Sequence, residues 1–235
     1  MIIERPSDRR GHGPAQVDWL DSRHTFSFGD YYDPDWMGFG VLRVINEDRV
    51  APGAGFPTHG HSNMEILSYV LSGALSHEDS SGGGGVIRPG ELQWMGAGHG
   101  VRHSEFNASS DEPVHFLQIW LQPDRVNAPP AYAQREAANG AGWRLLASPD
   151  GRDGSLSIRQ DACVLNAKPA DGEVVERGLQ PSRRYWLHVA QGTVEVNGRT
   201  LQAGDALGFV EEEGPLQVSG RADPAADILL FDLPL

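Results

Sequence analysis

The sequence is poor in cysteine and in basic residues, and it has no long apolar run. A single cysteine, Cys163, stands among 235 residues, so no disulfide forms within the chain. That fits a reducing compartment and excludes a fold stapled by disulfides. It also excludes a cysteine-rich zinc module. Lysine and arginine number 19 against 32 acidic residues, which leaves a net charge of −13. Such a chain repels nucleic acid and anionic membrane surfaces overall. The arginine pairs Arg9-Arg10 and Arg183-Arg184 are too short to form a basic stripe. No apolar stretch approaches the ~20 residues of a membrane-spanning helix. The opening, MIIERPSDRRGHGP, is charged within four residues and has no apolar core, which predicts no secretory signal. The expectation is a soluble, cytoplasmic protein with no nucleic-acid or membrane partner.

Turn-forming residues are abundant: 29 glycines and 16 prolines punctuate the chain into short elements, which predicts an all-β architecture. GFGVLRVINEDRV (38–50) reads as a strand and a turn. MEILSYVLSGALSHEDS (64–80) reads as two strands hinged at Gly73. SSGGGGVIRPGELQWM (80–95) gives a glycine-rich hairpin tip, a Pro-Gly turn and a strand. The glycine run lacks the lysine and following helix that a phosphate loop requires. VHFLQIWLQP (114–123) is an apolar strand ended by proline. PDRVNAPPAYAQREAANGAG (123–142) then reads as a linker, with one helical turn around Tyr132–Ala138, before short strands resume.

The two halves echo each other. LSYVLSGALSHEDS and YWLHVAQGTVEVNG are each an apolar strand, a glycine and an alternating strand. Each is followed by a glycine-plus-acid turn, RPGE or QAGD, and a further apolar strand. Such self-similarity predicts two tandem β-barrels of related build. The expected boundaries are a first domain over 1–123, a linker over 124–142 and a second domain over 143–235. The second copy keeps only His188 on its apolar strand, and a lone histidine there is more often packed than a ligand.

The chemistry concentrates in FPTHGHSNMEILSYVLSG (56–73). Residues i and i+2 of a strand share a face. His59 and His61 therefore project together, with Gly60 pointing away. GHGVRHSEFN repeats the device with His103 and Glu105. If the two segments are neighbouring strands, three imidazoles and a carboxylate converge. By strand parity Glu65 shares the face of His59 and His61. Leu67, Val70, Leu71, Leu92, Trp94 and Met95 would keep the surroundings dry. Structural metal sites are usually closed and cysteine-rich, so a His and carboxylate set inside a barrel points to function.

These residues carry a resemblance. Gly53, His59, His61, Glu65 and Gly73 resemble the first motif of the cupins, and Gly90, Gly96, Gly98, His103 and Asn107 resemble the second, slightly lengthened. HTFSFGDYYDPDWMGFGVLRVINED (24–48), THGHSNMEILSYVLSG and GAGHGVRHSEFN resemble, more narrowly, the pirin family, and SPDGRDGSLSIRQD (148–161) extends the likeness into the second half. The resemblance implies two tandem cupin (jelly-roll) β-barrels, only the first of which holds a metal. It assigns the metal to His59, His61, His103 and Glu105, with Glu65 left as a supporting group. Gly60 departs from the proline that pirins commonly carry between the histidines.

The resemblance also implies one divalent transition metal, Fe(II) first, with Mn, Ni, Cu and Zn compatible with the same donors. It implies quercetin 2,3-dioxygenase-like activity on a small planar aromatic substrate with dioxygen, Glu105 doubling as ligand and base. Phe26, Phe28, Trp36, Phe39 and Trp94 are the candidate lining of the substrate slot. The alternative implied function is a non-catalytic, metal- and redox-dependent regulator that binds a transcription factor or metabolic enzyme. A monomer is expected. Among the other histidines, His24 reads as structural, His99 as a surface-loop residue, and His12, His77 and His115 as background. Cys163 reads as a buried, inert thiol.

Overall fold

The computed structural model describes residues 1–136, 141–221 and 226–235. Their regular structure is almost entirely strand, with short 3-10 turns at Ser7–Arg9 and Arg152–Gly154. The all-β expectation holds. The strands form two compact units, each made of a larger and a smaller antiparallel sheet.

The unit that carries the paired histidines comprises Gly11–Ala137 and Leu156–Gln160. Its larger sheet runs in the order Ala131–Glu136, Glu91–Gly96, Glu65–Ser72, Val114–Leu121, Leu42–Val50, Leu20–His24, Gly11–His12. Its smaller sheet runs Gly55–His61, Val101–Asn107, Leu75–Asp79, Gly84–Ile87. The hinge read at Gly73 is real: its φ is +76°, and a Cβ there would lie 2.6 Å from the carbonyl oxygen of Pro113. A glycine is therefore required both by the left-handed backbone and by the close approach. The glycine-rich hairpin tip also holds, because Asp79 Oδ1 accepts from the backbone N–H groups of Ser81 and Gly83 at 2.8 and 3.0 Å.

Alternation places the core. Along one face of Glu65–Ser72 stand Ile66, Ser68 and Val70. Val70 belongs to an apolar cluster with Val50, Leu75, Ile87, Val114 and Phe116, whereas Ile66 belongs to another with Met95, Ala97 and Val101. Each such side chain, fully buried, contributes about 1.5–3 kcal/mol. Ser68 lies between the two clusters, in a polar layer shared with Gln93, Gln118, His77, His103 and Glu105, all buried. That layer positions the site.

The expected linker is partly sheet. Ala131–Glu136 is a strand paired with Glu91–Gly96, Tyr132 opposite Met95 and Gln134 opposite Gln93. AYAQRE consists mostly of acceptable helix formers, but Pro129 and Pro130 precede it and the open ladder beside it supplies partners, so tertiary pairing overrides propensity. Residues 137 and 138 of the expected helical turn lie outside the described residues.

The other unit comprises Met1–Arg10, Ala138–Ser155 and Asp161–Leu235, so the chain's first strand joins its second half. Ile2–Arg5 pairs with Ala206–Val210, which continues through Arg183–Gln191, Asp227–Pro234 and Cys163–Ala167. The smaller sheet runs Val174–Leu179, Gly214–Arg221, Thr193–Val196, Arg199–Gln202. The sequence echo is structural: Gly192 links Arg183–Gln191 to Thr193–Val196 with φ +76°, as Gly73 links Glu65–Ser72 to Leu75–Asp79. His188 is fully buried in this unit. Cys163 is buried too, and burial, opposed by Arg152, raises its pKa, as suits an unreactive thiol.

Candidate metal centre and adjoining cavity

Gly55–His61 and Val101–Asn107 are adjacent antiparallel strands, and His103 is the register partner of His59. On Val101–Asn107 the odd residues are buried and the even ones are more exposed, so His103 and Glu105 point inward together. A bulge interrupts the ladder between them: Glu105 is opposite Phe56 rather than Pro57. The extra residue on the facing strand bends it and re-aims His59.

His59, His61 and His103 come together. Their ring centroids are 4.4 to 4.8 Å apart, and one nitrogen from each lies within 4.8 Å of the others. The Nε2 atoms of His59 and His103 are 3.0 Å apart. Two imidazole nitrogens bound at right angles to one ion, each at ~2.1 Å, would be about 3.0 Å apart. His59 Nδ1 donates to the Pro57 carbonyl at 2.9 Å, which turns the Nε2 lone pair toward the cluster. Burial lowers the pKa of His61 to about 4, helped by His59, and that of His103 to about 3, helped by His59, His61 and His77. Both are neutral near pH 7, the form that binds a cation. The donor set fits a divalent transition metal.

Glu105 reaches His103 but falls in a second donor set, with His77 and His103, whose ligating atoms lie within 4.8 Å. Its carboxylate is well held: Ser68 Oγ is 3.1 Å from Oε1, and Gln118 Nε2 donates to Oε2 at 2.7 Å. Read as background from the sequence, His77 is in fact fully inside the barrel. Its Nε2 donates to Asp79 Oδ2 at 3.2 Å, and its Nδ1 is 3.4 Å from His103 Nδ1. With the Nε2 proton committed to Asp79, the His77 Nδ1 accepts from His103, again leaving a His103 Nε2 lone pair for the cluster. Tyr132 stacks on His77 at 5.0 Å. For Asp79, burial is the largest influence, but hydrogen bonds from Ser81, His77 and Gly83 outweigh it and lower its pKa. The sequence signal was available: His77 and Asp79 are a third i, i+2 pair.

Glu65 is placed differently from its parity expectation. The turn at Ser62–Met64, with Asn63 at φ +52°, separates its strand from that of the histidines, so parity does not carry across. Glu65 Oε2 instead accepts from Trp94 Nε1 at 2.8 Å and from the Arg159 backbone at 2.9 Å. Burial, the largest influence, raises its pKa. Trp94 is thereby occupied, with Arg159 5.6 Å over its ring.

A cavity of about 570 Å³ lies along the strands Leu20–His24 and Leu42–Val50, with Ser22, His24, Phe28, Tyr31, Asn46 and Asp48 in its wall. Of the five candidate slot aromatics, Phe28 lines it. Phe26 and Phe39 are buried, Trp94 serves Glu65, and Trp36 lies in the preceding loop outside the lining. Trp120 was missed by sequence reasoning. It packs edge-on against Phe28 at 5.3 Å and against His61 at 4.9 Å, joining cavity to cluster. A smaller hollow of about 380 Å³ has His61, Ser62 and Arg102 in its wall.

Comparisons with known proteins identify the family. Residues 5–121 match the family model Pirin, and residues 145–233 match the model of a quercetinase C-terminal cupin domain. The chain is 44% identical to a quercetin 2,3-dioxygenase of Escherichia coli (strain K12), covering 100% of this chain and 99% of the relative. It is 39% identical to a pirin-like protein of Caulobacter vibrioides, covering 99% of each. A crystal structure of the bacterial pirin YhhW from Escherichia coli in complex with nickel(II) superposes with a TM-score of 0.92 at 44% identity, covering 100% of this chain and 99% of that one.

Proposed function

The chain belongs to the pirin family of tandem cupins, and from that premise we propose that it is a metal-dependent dioxygenase that opens the central ring of flavonols such as quercetin. The observation that carries the reading is the convergence of three imidazoles, with burial holding His61 and His103 neutral, beside a buried, hydrogen-bonded carboxylate. His59, His61, His103 and Glu105 are the proposed ligands, iron(II) the proposed ion in the cell, and nickel(II), which the Escherichia coli relative binds, the alternative. A divalent ion there supplies Lewis acidity toward the 3-hydroxyl and 4-carbonyl oxygens of a flavonol.

The chain's own residues do the rest. Pro57 fixes the His59 tautomer, and His77 with Asp79 fixes that of His103. Ser68 and Gln118 hold Glu105 in place. The cluster of Ile66, Met95, Ala97 and Val101 keeps water from one side of the polar layer, which strengthens electrostatic contacts there. Phe28 and Trp120 offer ring faces and edges to a planar substrate.

The test joins metal analysis to an assay. The protein is purified without added metal, its metals are quantified, and aerobic loss of quercetin absorbance is followed. About one transition metal per chain, with dioxygen-dependent bleaching that His59→Ala abolishes, supports the dioxygenase. Full bleaching by His59→Ala sinks the metal mechanism. Stoichiometric metal with no turnover favours instead the non-catalytic regulator, which would bind a protein partner.

A further inference from the structure

The 570 Å³ cavity has a polar wall that the metal ligands do not explain. In the register of the two strands that build it, Ser22 faces Asp48 and His24 faces Asn46. Ser22, Asn46 and Asp48 are all buried, at 4%, 3% and 5% exposure. Ser22 Oγ donates to Asp48 Oδ1, which leaves Oδ2 available. Asn46 Oδ1 is buried without a hydrogen-bond partner. A buried acceptor left unpaired costs roughly 1–3 kcal/mol, so such a wall is expected to receive donors from a ligand. Phe28, Tyr31 and Phe56 line the same cavity. Buried acceptors together with aromatic rings suit a flat, hydroxylated aromatic molecule.

The cavity also adjoins the ligand cluster. Phe56, in its wall, is the register partner of Glu105. Asn46 is opposite Gln118, the residue that donates to Glu105. Both oxygens of Glu105 already have hydrogen-bond partners within the barrel. A carboxylate so engaged, and further committed to a cation, is a poor proton acceptor.

We propose that Asp48, rather than Glu105, accepts the hydroxyl proton of the aromatic substrate, with Ser22 and Asn46 orienting it. The proposal rests on the flavonol dioxygenase reading. The substrate O–H bond breaks, its electron pair stays on the substrate oxygen, and the proton forms a carboxylic acid at Asp48 Oδ2. That proton returns to the carboxylate that ring opening releases, so Asp48 is regenerated. Burial pushes the Asp48 carboxyl up to about 7 against the lowering hydrogen bond from Ser22, and Glu105, Glu47 and Asp21 add to the rise. His12, His24, Asp30 and Tyr31 share its cavity. A group that titrates near the working pH is suited to general-base catalysis.

Quercetin and the nickel-loaded full chain provide the test. Anaerobic binding of quercetin is read by the red shift that accompanies its deprotonation, and aerobic turnover by loss of that absorbance. The native protein is expected to bind the anion. Asp48→Asn is expected to keep its nickel, to bind quercetin unshifted, and to lose about 100-fold or more in kcat, in line with removal of a general base. Ser22→Ala is expected to keep nickel while the acid limb of its pH–rate profile moves to higher pH, because the hydrogen bond that lowers the Asp48 pKa is gone. An unchanged red shift and rate in Asp48→Asn, or an unmoved acid limb in Ser22→Ala, overturns the proposal alone. Should Asp48→Asn fail to fold, the Ser22→Ala profile decides. No binding and no turnover of quercetin by the native protein overturns the dioxygenase reading, and the proposal falls with it.

Discussion

His59 and His103 sit in register on neighbouring strands with their Nε2 atoms 3.0 Å apart. Each Nδ1 is engaged elsewhere, by the Pro57 carbonyl and by His77. Removing either ring should therefore cost the cation without collapsing the barrel. His59→Ala and His103→Ala are expected to lose the upward shift in Tm that added nickel gives the native protein, since binding to the folded state alone is what produces it. A full nickel-induced shift in both variants would show that the ion binds elsewhere.

His77 acts through His103. His77→Ala removes the bridge to Asp79 and frees the His103 ring to rotate. Loss of such a support typically weakens metal binding roughly 10–100-fold. A chelator competition should show that loss in His77→Ala and not in His115→Ala, whose ring bonds Glu47 at 2.9 Å.

Glu65 should prove structural. Glu65→Ala leaves the Trp94 indole N–H and the Arg159 backbone N–H without their acceptor. A destabilisation of about 1–3 kcal/mol in urea unfolding is expected, with a change in tryptophan emission. Nickel stoichiometry and affinity should not move. A variant that folds well but binds no nickel would make Glu65 a ligand after all.

Gly73 carries a steric demand beyond its positive φ. Gly73→Ala puts a methyl 2.6 Å from the Pro113 oxygen, whereas Gly82→Ala, at φ +89°, meets nothing within 4 Å. The second change should cost about 1–2 kcal/mol for the left-handed backbone alone, and the first more. Equal denaturation midpoints would contradict the close approach.

Asp48 makes stability depend on pH. Its folded pKa of about 7 exceeds the ordinary 3.8, so between these values the folded state binds more protons than the unfolded one. Stability therefore falls as pH rises through that window. The metal-free Asp48→Asn variant lacks this loss. Its Tm should gain on the native protein from pH 4 to pH 7 and hold that gain above. A gap that stays constant across the window would place the Asp48 pKa near its unfolded value.

Much of this molecule is written in short-range pattern. Alternation and glycine spacing determined the strands, the hinge at Gly73 and the echo between the halves, because strand period and positive φ are local properties. The pairs His59/His61 and His103/Glu105 were legible for the same reason, since i and i+2 share a face whatever surrounds the strand. Tertiary structure decided what no local rule reaches. Parity failed for Glu65 because a turn resets the face. Ala131–Glu136 became a strand because an unpaired ladder was beside it. His77 entered the cluster, and Ser22 met Asp48, only through strand register. A two-residue period says which side chains share a face of one strand; which strands become neighbours, and at what offset, is settled by the closing of the barrel.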